Sequence, residues 1–546
     1  MAGYLSLVLH AHLPFVRHPE HGTFLEESWL FEAITECYIP LLQMLRRWLD
    51  EGIRAPLTVT LTPTLCALLR DPLLQQRYAT HLEQMLDLSE KELLRTLWEK
   101  PFNELARFYH HRLVATADFY RENGRDLISG FRDLQNAGQL EIITSAATHA
   151  VLPLLLPHTP SIRGQILVAC DQYRADFGRA PRGIWLPECA YDERLEPFLA
   201  EANLRWFILD TAGVLRARPK PRYGAFAPLL SHHGLAVFGR DRASARQVWS
   251  RNEGYPGDPR YRDFYRDIGF DLDWDYLKPY LATAGRRAFT GIKYHAITGP
   301  GVSKQVYSRP AALQAADGHA GHFLDGLVRQ VERAAAIMQH PPLVVAPYDA
   351  ELFGHWWYEG PEFLDLLVRK AFYDQKAFAF ITPSEYLRRH PDLQVATPAA
   401  SSWGEGGYWG MWLNDASEWI YPHLKIAQDR MTSLARRFSE QDEREASGMR
   451  RGNKRVSAGA PQRDDLRERA LRQAARELLL AQASDWPFML RTGTSPEYAK
   501  GRIKSHLARF ASLYDQLTSG QIDVDWLGGV ENTDNLFQNL DWRYWR

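Results

Sequence analysis

A short apolar stretch near the start of the sequence decides the fold, Tyr4-Leu5-Ser6-Leu7-Val8-Leu9-His10. It has the length and composition of a buried β-strand and ends in a polar residue. Similar runs occupy residues 57–62, 140–144, 183–188, 205–210, 236–240, 343–349 and 378–381. Helical patterns separate several of them, the clearest over residues 322–338. This alternation predicts an α/β fold whose parallel sheet closes as a barrel with its chemistry at the carboxyl ends, although an open doubly wound sheet gives a similar pattern.

Composition narrows the class of protein. The chain has 546 residues, which predicts one large domain with additions. Its 65 Lys+Arg and 66 Asp+Glu nearly cancel, which argues against a nucleic-acid partner. No apolar run approaches the ~18 residues of a membrane span, and the first strand lacks the basic segment of a signal peptide. The four cysteines show no paired spacing, so we expect a reduced, cytoplasmic chain.

The spacing of the patterns also predicts how the chain is divided. Residues 72–138 hold several amphipathic helical segments where one crossover helix would suffice, which indicates a helical insertion. Residues 1–71 and 139–400 then form the barrel, and 401–546 form a C-terminal helical domain. Within that domain, residues 441–465 carry charge runs and almost no large apolar side chains, so we expect a mobile surface loop there.

Two histidines, His10 and His12, end the first predicted strand and point to the same side of the sheet. Such a pair suits a zinc site if further ligands lie at neighbouring strand ends, where His149, Asp210 and Asp349 are available. It equally suits two histidines that hydrogen-bond a polar ligand or are simply packed. The residues alone leave these alternatives open.

Two further strand ends carry carboxylates. Gly183-Ile184-Trp185-Leu186-Pro187-Glu188 delivers Glu188 without an obvious local partner, which makes it a candidate nucleophile or base. Residues 344–357 end another strand in Asp349 and Glu351, followed by an aromatic turn. Two carboxylates that flank a glycosidic bond are the machinery of glycoside chemistry. Spacing does not choose between Asp349 and Glu351, and Asp210 and Asp241 also follow predicted strands.

An aromatic cluster follows the last predicted strand, with Trp403, Tyr408, Trp409 and Trp412 among several glycines. The glycines lack the preceding strand and the Gly-Lys-Ser/Thr ending of a phosphate loop, so they do not indicate a nucleotide site. Indole rings in such surroundings form either a platform for sugar rings or a packed domain interface. Both interpretations stay open.

Several of these motifs, in this order, resemble glycoside hydrolase family 57. The resemblance rests on His10-Ala11-His12-Leu13-Pro14, on Thr148-His149, on residues 185–191 (Trp-Leu-Pro-Glu-Cys-Ala-Tyr) and on residues 347–357 (Pro-Tyr-Asp-Ala-Glu-Leu-Phe-Gly-His-Trp-Trp). The Pro-Glu-Cys motif and the aromatic and helical C-terminal region are similar to those of the family's 1,4-α-glucan branching enzymes. The similarity runs from Gly3 to about Leu517.

The resemblance implies an incomplete (β/α)7 barrel with a helical insertion and a C-terminal helical domain over the active-site mouth. It implies a retaining mechanism with Glu188 as the nucleophile and Asp349 as the general acid/base, with carboxyl groups ~5–5.5 Å apart. It further implies substrate-binding residues without metal or cofactor: His10, His12, His149, Trp274, His355, Trp403, Trp412 and Asp485.

The implied activity is α-1,4 bond cleavage and transfer of the chain to a 6-hydroxyl, which forms α-1,6 branches in amylose, amylopectin or glycogen. We expect a monomer with no nucleic-acid or membrane partner. The alternatives are a 4-α-glucanotransferase or α-amylase of the same family, a metal-dependent carbohydrate deacetylase that uses His10 and His12, and a glucan-binding protein without catalysis.

Overall fold

The structure is a computed structural model that describes residues 2–249, 253–281, 285–299, 303–449 and 460–546. Short apolar segments form its strands, and each strand that was predicted from the sequence is present. The strands are β1 (Gly3–Ala11), β2 (Leu57–Leu61), β3 (Leu140–Ile143), β4 (Gly183–Ile184), β5 (Trp206–Leu209), β6 (Leu229–Leu230), β7 (Ala236–Gly239), β8 (Leu343–Asp349), β9 (Phe378–Phe380) and β10 (Gln394–Val395).

Parallel pairing joins these strands into a curved wall. One sheet has the order β3-β2-β1-β8 and the other contains β7-β5-β4. A bridge between Thr144 and Ile184 connects the two sheets, and the Asp241 N–H donates to the Val345 carbonyl at 2.7 Å on the far side. The described residues thus form the incomplete (β/α)7 barrel that was predicted. Three short strands lie outside the wall: β9 pairs with the start of β1, and β6 pairs antiparallel with β7 and parallel with β10.

Helices cover the outside of the wall and build the region over its mouth. They are α1 (Ser28–Ala33), α2 (Ile39–Asp50), α3 (Pro63–Arg70), α4 (Pro72–Arg95), α5 (Lys100–Glu122), α6 (Leu127–Asn136), α7 (Thr159–Phe177), α8 (Glu196–Glu201), α9 (Thr211–Leu215), α10 (Arg242–Trp249), α11 (Ile268–Asp271), α12 (Trp274–Leu277), α13 (Arg309–Ala335), α14 (Gly360–Tyr373), α15 (Pro383–Arg389), α16 (Ile420–Met449), α17 (Ala460–Ala481), α18 (Asp485–Thr492), α19 (Pro496–Ser519) and α20 (Val524–Thr533).

Helices are present in both regions where extra helices were expected. Helices α4, α5 and α6 fill residues 72–138, and α16 to α20 follow the aromatic cluster. A single apolar core includes residues of the barrel strands, of α4 and α5, and of α17 and α19. Burial of this shared surface fixes the C-terminal helices on the barrel. The division into a barrel, an insertion at 72–138 and a C-terminal domain from residue 401 stays a prediction.

The prediction of a loop over residues 441–465 is wrong for residues 441–449 and 460–465, which are helical. Helix α16 continues to Met449 and α17 begins at Ala460, while residues 450–459 lie outside the described residues. Charged and glutamine side chains are good helix formers, so their abundance does not by itself indicate a loop. Asp442 also accepts from Arg467 at 3.0 Å and from Arg543 at 2.9 Å, which ties this part of α16 to its neighbours.

In the part of the chain that the structure describes, every helix is too short or too polar to cross a lipid bilayer.

Close packing of a terminal tryptophan on α7 gives a test of how the C-terminal region is seated. A methyl group added at Gly164 would lie 2.4 Å from the buried Trp545 ring. We expect Gly164→Ala to lower the free energy of unfolding by about 1–3 kcal/mol, since the ring must shift. Gly501 in α19 is the matched control, because a methyl there meets open space; Gly501→Ala should be neutral or slightly stabilising. Equal thermal midpoints for the two variants would contradict this packing.

Candidate active site

Glu188 sits in a strained turn at the carboxyl end of β4. The turn spans Pro187–Cys189, and both Glu188 (φ 62°) and Cys189 (φ 48°) adopt left-handed backbone conformations. His149, which follows β3, does the same with φ 56°. Non-glycine residues enter this region at a cost, and they cluster at functional sites where the surrounding structure enforces the conformation. The strain therefore marks these two strand ends independently of any motif.

Both oxygens of the Glu188 carboxylate have donors. The indole Nε1–H of Trp403 donates to Oε2 at 2.8 Å, and Ser484 Oγ lies 3.1 Å from Oε1. Burial raises the pKa of Glu188, and the hydrogen bonds from Trp403 and Ser484 oppose that rise. The two donors thus fix the carboxylate and favour its ionised form.

Asp349 ends β8 and pairs in register with His10 of β1. Burial, followed by the nearby negative charges of Glu351 and Glu188, holds the pKa of Asp349 well above its usual range; the Arg240 guanidinium opposes this effect. Asp349 is therefore suited to carry a proton at neutral pH, beside a second carboxylate that is equipped to be ionised. Such a split between two neighbouring acids is the arrangement that acid and nucleophile roles require.

The structure distinguishes Asp349 from the other strand-end carboxylates. Strand β8 stops at Asp349, and Glu351 lies in the turn beyond it, where it accepts from the Tyr38 hydroxyl at 2.6 Å and the His12 N–H at 3.1 Å. Asp210 and Asp241 cap helices: each accepts a backbone N–H, from Ala212 and Ser244 respectively. Helix capping is a structural role.

Four flat side chains stack beside the two carboxyl groups. The ring of His12 lies 3.9 Å from that of His149, and His10 lies 4.8 Å from the Trp185 ring, all nearly parallel. Burial lowers the pKa values of His10 and His149, so both are neutral. His12 differs: burial disfavours its charged form, but the Asp485 carboxylate at 3.0 Å raises its pKa. The stack brings together β1, the loop after β3 and the segment after β4, and the hydrogen bond between His12 and Asp485 links it to α18.

The orientation of the histidines bears on the metal alternative. Imidazole lone pairs lie in the ring plane, so two parallel rings 3.9 Å apart, as in His12 and His149, do not aim at one common ion. The nitrogens of His12 instead contact Thr62 Oγ1 at 3.1 Å and Asp485. Among the residues that the structure describes, the three-residue group with converging metal-ligand atoms is elsewhere, at Glu477, His506 and Asp534.

The predicted substrate-binding residues do not all lie in one place. His10, His12, His149, Trp403 and Asp485 surround the two carboxyl groups, as described above. Trp412 is 1% exposed and packs against Val151 and Ala190, so it matches the packed-interface interpretation and offers no open face to a sugar. Its predicted glucan contact is not supported by this geometry.

His355 and Trp274 lie outside the hydrogen-bonded group around Glu188. His355 Nδ1 is 3.1 Å from Glu36 and 3.7 Å from Glu32, whose pKa burial raises to about 7. Trp274 begins α12 and lies beneath the Arg287 guanidinium at 5.9 Å. The expected roles of His355 and Trp274 in substrate binding stay predictions.

Sequence reasoning missed two side chains at the centre. Ser484 contacts Glu188 although 296 positions separate them. The Arg240 guanidinium lies 5.5 Å from the centre of the Trp403 ring and moderates the pKa of Asp349. Ser484 directly precedes Asp485, so its position beside a predicted substrate-binding residue was the available signal. Arg240 is the last residue of a predicted strand, which marks it as a strand-end residue but not as a partner of Trp403.

A parallel barrel that buries two carboxylic acids beside histidine and indole rings, one with a hydrogen-bond donor on each oxygen and the other with a strongly raised pKa, defines a class of enzyme that acts on glycosidic bonds. The chain belongs to glycosyl hydrolase family 57, because the model of that family matches residues 6–398. A second model, described as "1,4-alpha-glucan branching enzyme, C-terminal", matches residues 447–545.

Relatives of known name and structure agree with the family. A 1,4-alpha-glucan branching enzyme of Thermococcus kodakarensis is 32% identical over 98% of this chain and 78% of its own length. The crystal structure of a family 57-type branching enzyme from Pyrococcus horikoshii has a TM-score of 0.85 at 32% identity, covering 100% and 97% of the two chains. The crystal structure of the alpha-amylase AmyC from Thermotoga maritima has a TM-score of 0.90 at 41% identity, covering 100% and 99%.

The raised pKa of Asp349 predicts a pH-dependent cost in stability. In the unfolded chain an aspartate ionises near pH ~3.9, whereas in the folded protein Asp349 keeps its proton to a higher pH. Its contribution to the free energy of unfolding is present below pH ~3.9 and is lost as the pH rises towards the folded pKa. Asn does not ionise, so Asp349→Asn should raise the thermal midpoint relative to wild type by more at pH 7.5 than at pH 4.

The control for this measurement is Asp325→Asn, on an exposed position of α13. Its difference from wild type should be the same at both pH values. If Asp349→Asn also gave a constant difference, the raised pKa would be refuted.

Proposed function

We propose that this chain is a 1,4-α-glucan branching enzyme that works by a retaining double displacement. Glu188 is the nucleophile and Asp349 is the general acid/base. The observation that carries the proposal is the unequal treatment of the two acids: Glu188 has a donor on each oxygen, while burial and like charges hold the pKa of Asp349 well above its usual range. No cofactor enters the reaction.

In the first half-reaction, a Glu188 oxygen bonds to the anomeric carbon of the glucose unit on the donor side. The bond from that carbon to the leaving O4 breaks, and O4 takes its proton from Asp349. The product is a glycosyl ester of Glu188 with inverted configuration, and Asp349 is left ionised. The loss of negative charge at Glu188 removes one of the charges that raise the pKa of Asp349, so its anionic form becomes more stable.

In the second half-reaction, Asp349 takes the proton of an acceptor hydroxyl whose oxygen bonds to the anomeric carbon. The ester bond breaks and Glu188 recovers its charge. A glucose 6-hydroxyl as the acceptor gives an α-1,6 branch, a 4-hydroxyl gives disproportionation, and water gives hydrolysis. The chemistry at the two carboxyl groups is the same in all three cases, so the surroundings of the acceptor decide the product.

The C-terminal region supports the branching reaction. Residues 447–545 match a model of the C-terminal part of branching enzymes, and this region supplies Asp485 and Ser484 to the site. The relatives from Thermococcus and Pyrococcus carry the branching-enzyme name. Residues of this region that line the site can exclude water during the lifetime of the glycosyl ester.

Hydrolysis as an α-amylase is the second candidate, because the solved structure named AmyC shares 41% identity and a TM-score of 0.90. The same family and catalytic residues would serve both activities. A preference of only ~1.4 kcal/mol between water and sugar changes the product ratio tenfold. Product analysis therefore separates the two candidates.

The proposed substrates are α-glucans, namely amylose, amylopectin and glycogen, and the proposed context is glycogen formation in the cytoplasm by a monomer. All four cysteines are free and buried, as expected in a reducing compartment.

The nucleophile assignment predicts the behaviour of Glu188→Gln. Because an amide does not form the glycosyl ester, kcat should fall at least ~1,000-fold, while the affinity for maltooligosaccharides stays within about threefold of wild type. Kinetics and calorimetric titration measure the two quantities. Glu405→Gln is the matched control, because Glu405 is exposed in the loop that follows Trp403 and should keep full activity. Near-normal turnover of Glu188→Gln would remove the assignment.

Azide rescue assigns the two roles separately. With an α-maltooligosyl fluoride, whose leaving group needs no acid, azide should rescue Asp349→Ala through the glycosyl ester and give an α-glycosyl azide. Azide should replace the nucleophile in Glu188→Ala and give the β-glycosyl azide, since only one inversion then occurs. Product anomers are identified by NMR. The same anomer from both variants would contradict the double displacement.

Product analysis tests branching. Wild-type enzyme incubated with amylose should form few new reducing ends. Treatment of the product with a debranching enzyme should then release short chains. Many reducing ends and no chains released on debranching would establish the amylase instead.

A further inference from the structure

We propose that Ser484 is a positioning residue that directs a polarised hydroxyl at Glu188, as the last link of a hydrogen-bond chain that begins at His10. The inference deepens the proposed function and rests on Glu188 being the nucleophile. It assigns the C-terminal helical region a direct part in the reaction.

The location of Ser484 is unusual for a serine. It precedes α18 at the position where serine side chains normally accept a backbone N–H of the helix, yet its side chain makes no capping hydrogen bond. The side chain, 1% exposed, turns instead towards the barrel, where Oγ lies 2.8 Å from His149 Nδ1 and 3.1 Å from Glu188 Oε1. Its backbone N–H also donates to the His149 carbonyl at 3.1 Å. Ser484 thus leaves its own helix uncapped in order to contact the site.

The direction of each hydrogen bond follows from which groups carry protons. An ionised Glu188 only accepts, so the single hydroxyl hydrogen of Ser484 points at Oε1. Ser484 Oγ must then accept from His149, which places the His149 hydrogen on Nδ1. Because His149 is neutral, its Nε2 carries no hydrogen and accepts from His10 Nε2 at 3.0 Å.

The contacts of His10, at the start of the hydrogen-bond chain, are consistent with this direction. His10 is also neutral, and a hydrogen on Nε2 leaves Nδ1 bare. Nδ1 of His10 is buried without a hydrogen-bond partner among the described residues, as a nitrogen that offers only a lone pair can be. Each group in the hydrogen-bond chain therefore donates to the next, from His10 through His149 and Ser484 to Glu188.

This direction has a chemical consequence. Successive donors polarise one another, so the His149 N–H strengthens the Ser484 hydroxyl as a donor. That donor stabilises the carboxylate, which is the attacking group in the first half-reaction and the leaving group in the second. It also fixes Oε1 while Trp403 fixes Oε2, so the carboxyl plane does not rotate.

Three variants test the proposal. Ser484→Ala removes one hydrogen bond to the charged Glu188 carboxylate, so its kcat should fall by roughly 10- to 100-fold. Its KM for amylose should stay within about threefold of wild type. Loss of the donor raises the pKa of Glu188, so the acidic limb of the kcat/KM profile should move to higher pH. Ser484→Thr keeps a hydroxyl and should restore the limb. If Ser484→Ala does not fold, Ser484→Cys, with a weaker donor, should show the same shift to a smaller extent.

The control is Ser145→Ala, which also deletes a buried hydroxyl near the site. Ser145 donates to the Trp185 carbonyl at 2.8 Å, so a merely structural defect there should leave the acidic limb in place. An acidic limb at the wild-type pH in both Ser484→Ala and Ser484→Cys, or an equal shift in Ser145→Ala, would overturn the inference. The proposed function is tested separately: if Glu188→Gln retains turnover, the nucleophile assignment fails, whereas an inactive Glu188→Gln with a wild-type-like Ser484→Ala refutes the role of Ser484 alone.

Discussion

The site depends on one electrostatic constraint, the burial of two carboxylic acids close enough for the charge of each to disfavour ionisation of the other. Burial penalises both charges, and proximity penalises the second further. The protein resolves the conflict by supplying hydrogen-bond donors to Glu188 and further negative charge, from Glu351, to Asp349. The strained turn at Glu188, the register of β8 against β1 and the docking of α18 all serve to keep this asymmetry in place.

The barrel supplies only part of that asymmetry. Strand ends deliver Glu188 and Asp349, and the indole of Trp403 comes from the aromatic segment that follows the barrel strands. The hydroxyl of Ser484 and the carboxylate of Asp485 come from the C-terminal helices, and Asp485 raises the pKa of His12. The histidine wall thus contains neutral rings at His10 and His149 beside one ring with a raised pKa. A polar but mostly neutral wall suits hydroxyl-rich ligands, because it offers donors and acceptors without a large field.

The fold could be predicted from the sequence wherever a physical signal is local. Apolar runs of strand length placed the strands of the wall, and their polar ends pointed to Glu188 and Asp349. The two-residue strands β6 and β10 are too short to produce a pattern. The polarity of the charge-rich end of α16 predicts a loop, although many of its residues favour a helix. Contacts between distant segments were beyond local signals: neither the burial of Trp412 nor the pairing of His355 with Glu36 follows from neighbouring residues.

The serine that leaves its own helix uncapped also bears on how such proteins can be recombined. The predicted boundary at residue 401 suggests itself as a place to exchange the C-terminal region between relatives. A cut there would nevertheless pass between Glu188 and two groups that hydrogen-bond to it, Trp403 and Ser484. In a chimaera joined at that point, the new C-terminal region would bring different hydrogen-bond partners to Glu188. Exchange of this region would therefore change the pKa and reactivity of Glu188 as well as the entrance to the cleft.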